Sequence, residues 1–147
     1  MVLRIILGAV YTAMAVGQLV SWRRMPQILG TYDVLPAAVL PWLAGGLVAG
    51  ELVCGVWFLA RPRSHALAPV WVYTAVSLVW AVLGVQGYLR GLSIDNCGCF
   101  GLYLTQRSSW FVLLQDALLL VYAAVLIRSG LRARRAATPA RTEVLDT

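Results

Sequence analysis

The stretch Ala38-Val-Leu-Pro41-Trp-Leu-Ala-Gly-Gly46-Leu-Val-Ala-Gly50-Glu51-Leu-Val-Cys54-Gly-Val-Trp-Phe-Leu-Ala60 decides the fold class. It is a continuous apolar run interrupted by one carboxylate, and it is long enough to cross a bilayer core as a helix of about 20 residues. Three similar blocks surround it, which places predicted helices at about 2–21, 38–60, 67–89 and 109–128. The runs do not alternate with period two, so they do not read as barrel strands. A segment in lipid must satisfy its own amides, which selects helices. The expected fold is therefore all-α, an integral membrane four-helix transmembrane bundle over residues 1–130. The first block continues past a small-residue Ala13-Met14-Ala15 site, so it is read as a retained helix rather than a cleaved signal.

Composition agrees. Of the 147 residues 61% are apolar and 12% charged, against roughly a quarter charged in soluble domains. The net charge of +6 comes entirely from arginine on the basic side. These arginines lie between apolar blocks and in a C-terminal cluster, a topology signal rather than a nucleic-acid footprint. Eight of them (Arg4, Arg61, Arg63, Arg128, Arg132, Arg134, Arg135 and Arg141) fall on one side, and Arg23, Arg24, Arg90 and Arg107 on the other. Both termini are thus expected in the cytoplasm, and connection 90–108 outside it. Trp22, Trp42, Trp71, Tyr88 and Trp110 sit near block ends, where amphipathic rings favour the interface. Residues 131–147 read as an Arg-rich disordered cytoplasmic tail. Gly46 and Gly50 form a small-xxx-small pair, extended by Cys54, that predicts a packing seam.

The third connection carries the chemistry: Asp95-Asn96-Cys97-Gly98-Cys99-Phe100-Gly101. Two thiols one residue apart lie within the Cα separation that disulfides use, and Gly98 supplies the bend. A ring that small is strained, and strained exposed disulfides are the exchanging ones. Cys97 and Cys99 are therefore the candidate redox pair, with Arg90 and Arg107 placed to lower a thiol pKa. Two buried apolar thiols, or a Cu(I) or other soft-metal site of two thiolates, are the alternatives. His65, the one histidine, is expected at the far side and reads as a solvated connection residue.

Inside the spans, Glu51 must be neutral or paired, and is a candidate proton acceptor near Cys54. A structural carboxyl and a packing cysteine are the plainer readings. Asp116, early in the fourth helix and expected near the cysteine connection, is a further candidate catalytic carboxyl; pairing with Arg107 or Arg90 would make it structural instead. Tyr11 and Gln18 share one helix face, and Tyr73, Ser77, Trp80 and Gly84 another. Such stripes are bundle core, or line a cleft for a planar ligand such as a quinone.

Four spans with Cys97-Gly98-Cys99-Phe100-Gly101 before the last resemble the methylamine utilisation protein MauE family, within the DoxX-like membrane proteins. Tyr32-Asp33-Val34-Leu35-Pro36 is similar to its Tyr-x-x-Leu-Pro stretch. Pro41-Trp42 with Glu51-Leu52 resembles its Pro-x-x-Glu-Leu pattern at wider spacing, and Arg90-Gly91 also fits. The likeness runs from about Arg4 to Arg128. Where the family often has a lysine ending the first helix, Gly17-Gln18-Leu19 is followed by Val20. The resemblance implies a redox-associated inner-membrane protein that supports disulfide formation or maturation of an exported client. In the named family the client is the small subunit of methylamine dehydrogenase, and a thioredoxin-like extracytoplasmic protein is a partner. A non-catalytic assembly factor is the rival reading.

Overall fold

A computed structural model describes residues 1–102 and 110–137. Arg107 and the last ten positions of the tail reading lie outside the described residues. The order is α1 (Val2–Val20), a 3-10 turn (Trp22–Arg24), α2 (Met25–Gly30), α3 (Leu40–Ala60), α4 (Ala68–Leu89) and α5 (Trp110–Ala137). Among the described residues there is no strand, and α1, α3, α4 and α5 are each long and apolar enough to cross a membrane. Pro41 and Pro69 fall in the first turns of α3 and α4, where a missing N–H costs nothing.

The faces are distributed as lipid requires. Val53, Val56, Val82 and Val121 point outward and are about half exposed, while Arg4, Gln18, Glu51, Ser77 and Asp116 are buried. Ionisable groups turned inward and aliphatic groups turned outward mark a bundle solvated by hydrocarbon. The chain is a multi-pass membrane protein. The five aromatic residues expected at the interface are all exposed at helix ends, Trp42 at 82% and Trp110 at 67% among them.

α1 packs most extensively on α3, α5 on α4, and α3 on α4. The seam differs from the one expected. A Cβ on Gly46 would meet nothing, and one on Gly50 would strike Val76 of α4. Backbone meets backbone instead at Gly8 and Gly55: a Cβ on Gly8 would lie 2.9 Å from the Gly55 carbonyl oxygen. Small residues on both partners let the backbones meet.

Two elements depart from the sequence reading. The first connection contains α2, a short helix whose Met25, Ile28 and Leu29 turn inward at i, i+3 and i+4. The last helix continues through Ala137, well into the segment expected to be a disordered tail from 131. Ala and Arg are strong helix formers, and Arg134 and Arg135 in the final turn suit the negative end of the helix dipole.

Candidate functional site at the Cys-Gly-Cys loop

The loop begins where α4 stops. Gly91 is left-handed at φ +64°. The Leu92 N–H reaches the Gly87 carbonyl and the Gly91 N–H the Tyr88 carbonyl, both at 3.0 Å. That pair of bonds is the Schellman termination, and it explains why glycine follows Arg90. The chain then folds back over the end of the bundle. Asn96 shapes it from within: its Oδ1 accepts from the Gly98 N–H at 3.0 Å, and its Nδ2 donates to the Gly101 carbonyl at 2.9 Å. Gly98 is left-handed, as the bend between the cysteines requires, and lies so close to Ile28 that a Cβ would collide.

Three side chains from elsewhere pin this loop. Tyr32 donates its hydroxyl to the Cys97 carbonyl at 3.0 Å. Gln18 of α1 donates Nε2 to the Cys99 carbonyl at 3.0 Å. Ser21 accepts the Leu102 N–H at 3.0 Å. Between them the Phe100 carbonyl rests on Gly17, where any side chain would displace it.

The result places the two sulfurs 3.3 Å apart, within reach of a thiol–thiolate hydrogen bond. Both cysteines are buried, Cys97 at 1% and Cys99 at 4% exposure. The sequence suggested an exposed pair; the pinned loop instead tucks it beneath its own backbone. The thiols are unequal. The Cys99 thiol, as hydrogen-bond partner, pulls the Cys97 pKa below its ordinary value. Sharing that bond with Cys97, together with burial, pushes the Cys99 pKa well up.

Beneath the loop lies Glu51, fully buried. Gln18 Nε2 approaches both of its oxygens, at 2.9 and 3.1 Å, and Trp80 Nε1 donates to Oε1 at 2.8 Å. One amide thus joins the α3 carboxyl to the cysteine loop. The Cys54 thiol turns to the Glu51 carbonyl of its own helix, 3.5 Å away, which fits the packing reading. Asp116 is buried beside α4, with Oδ2 2.9 Å from where a Gly84 Cβ would stand. Arg90 serves neither Asp116 nor the thiols. It donates to the Tyr32 and Asp33 carbonyls and pairs with the Asp33 carboxylate at 3.2 Å, fixing the first connection.

Cys97, Cys99, Glu51 and Asp116 therefore gather at one end of the bundle. Tyr32, Ser21, Asn96 and the donor role of Trp80 were not singled out from the sequence as site features. Trp80 carried a signal, because an indole N–H in mid-span must find an acceptor. The stripes of Tyr11, Tyr73 and Ser77 are core: Tyr11 bonds Ser77 at 2.6 Å and Tyr73 the Leu119 carbonyl at 2.8 Å. An apolar groove beside Phe100 has a volume of about 620 Å³, but its lining hydroxyl, Thr12, is spent on the Gly8 carbonyl. Neither place offers a side-chain donor for a quinone carbonyl.

Residues 1–129 match the family profile described as methylamine utilisation protein MauE. The chain belongs to the MauE family. A curated relative named methylamine utilization protein MauE, from Paracoccus denitrificans, is 32% identical over 138 residues, covering 89% of this chain and 69% of the relative. No solved structure matches. The MauE match takes in every residue of the pinned loop and of the Gln18–Glu51–Trp80 cluster beneath it.

Proposed function

We propose that this MauE protein supports methylamine utilisation as a membrane-bound thiol–disulfide exchange factor acting through Cys97 and Cys99. The observation that carries this is the 3.3 Å sulfur pair with its unequal thiols. Exchange needs one thiolate to attack and a second thiol to resolve. The Cys97 thiolate attacks a client disulfide; a Cys97–client bond forms, the client bond breaks, and the leaving client sulfur takes a proton. Cys99 then loses its proton and attacks the Cys97 sulfur, expelling the second client thiolate. The client leaves reduced and the pair oxidised. Run backwards, the same path gives an exported client its disulfide, and a thioredoxin-like partner resets the pair.

Both sulfurs are covered, so exchange occurs with the loop lifted from its anchors. In this proposal Glu51 acts on the loop through Gln18, as a positioning residue. The arginine distribution supports an inner-membrane protein with both termini cytoplasmic and the loop at the extracytoplasmic face.

The test is a redox titration of the purified protein in detergent, read by thiol alkylation and mass spectrometry. Reversible interconversion of Cys97 and Cys99 between about −120 and −270 mV, the span of known exchange proteins, is expected. A pair that stays in one state, or that retains stoichiometric metal, ends the exchange reading. The burial of both sulfurs favours a second reading, an assembly factor whose cysteines only shape the loop; it requires a stable client complex and no turnover.

A further inference from the structure

At the opposite end of the bundle a cavity of about 490 Å³ opens between the start of α1, the α3–α4 connection and the second half of α5. Its polar lining is Arg4, Arg63, Ser64, His65 and Ser129, and among the described residues no carboxylate lines it. Arg4 is the unusual member. Only 5% of it is exposed, its guanidinium stacks over the Phe58 ring at 5.3 Å, and its buried Nη1 has no hydrogen-bond partner among the described residues. A guanidinium cannot shed its charge to escape burial, so the cost of holding it there calls for an anion. The four described acids do not supply one. Asp33 and Asp95 belong to the connections at the cysteine end, Glu51 is held by Gln18 and Trp80, and Asp116 faces Gly84.

The other groups at the cavity are suited to an anion. Arg63 and His65 are exposed at its rim, and Arg61 stacks nearby on Trp57 at 5.2 Å. Ser64 Oγ accepts the Ala66 N–H, which leaves its own proton free to donate, whereas Ser129 gives its proton to the Leu126 carbonyl. The remaining side chains of the walls are apolar: Met1, Leu3, Pro62, Val125 and Leu126. A planar fork with a second guanidinium, Arg63, at the rim matches a phosphate group, which it can bind through two oxygens.

We propose that this cavity binds a phosphate-bearing anion, with Arg4 as its buried anchor and Arg63, His65 and Ser64 at the rim. The apolar walls and the position at the ends of the spans point to the headgroup phosphate of an anionic lipid as its source. Basic pockets between spanning helices hold such headgroups.

The test uses the full chain in neutral detergent, with phosphatidylglycerol, phosphatidylcholine or inorganic phosphate added. Thermal unfolding and native mass spectrometry of retained lipid are read together. Phosphatidylglycerol should raise the unfolding midpoint and persist as an adduct, and phosphatidylcholine should do neither. Arg63→Gln, an exposed change that leaves the core intact, should weaken phosphatidylglycerol binding about tenfold, and Arg4→Met at least as much. An equal shift from inorganic phosphate supports the same site with a soluble ligand as the source. No shift from either anion, or a phosphatidylglycerol response unchanged in both variants, overturns the proposal.

Discussion

The amide nitrogen of Gln18 touches both oxygens of Glu51 and the carbonyl of Cys99. Gln18→Leu should therefore act twice. Loss of a donor to a buried carboxyl costs about 2 kcal/mol, readable as a lowered unfolding midpoint. The freed Cys99 carbonyl should also let the loop lift more often, so alkylation of the native reduced protein speeds up. Gln18→Leu combined with Glu51→Leu should lose less than the two single changes together, because removing both partners leaves no stranded polar group. The thiol asymmetry has its own signature. Reactivity follows the thiolate, which accumulates as pH rises, so a lowered Cys97 pKa places its alkylation midpoint below that of an unperturbed cysteine. Cys99→Ala removes the donor that holds the Cys97 thiolate and should move that midpoint upward. The cysteine pair, Glu51 and Asp116 were legible in the sequence because their chemistry is rare in an apolar chain. Tyr32 and Ser21 were not, since their roles depend on loop carbonyls brought to them only by the fold.

Among the elements, the spans were legible because lipid imposes a length and an apolar surface on each helix. What escaped was which faces meet. α3 carries Gly45, Gly46, Gly50 and Gly55, and the apolar pattern does not say which of them a neighbour approaches. The contact with α1 is at Gly55, so Gly55→Val should force the two helices apart, at about 1–3 kcal/mol for overpacking, while Gly46→Ala should be near neutral. Unfolding in a graded denaturing detergent separates the two outcomes. α2 was missed for a related reason: its six residues are too few to show a period, and its inward face is defined only by the core that Met25, Ile28 and Leu29 join.

At the scale of the whole molecule, polarity is divided between two ends. One carries thiols and carboxylates under a pinned loop, and the other is rich in arginine. Orientation follows by charge bias, and a membrane-impermeant thiol reagent checks it: Val34→Cys in the first connection should label in intact cells, and Arg63→Cys only after lysis. Reversed labelling would move the cysteine loop to the cytoplasm and remove the exported client from the proposal. The pairing of Glu51 also bears on how the chain is built. α1 is synthesised before α3, and α3 before α4. When α3 leaves the translocation channel, the carboxyl in its middle already has a donor waiting on α1, in Gln18, although Trp80 has not yet reached the bilayer. The Gly8–Gly55 contact lies on the same pair of helices. The first hairpin can therefore enter lipid as a joined unit, its buried acid already sheltered, and α4 closes over a partner that insertion has half assembled.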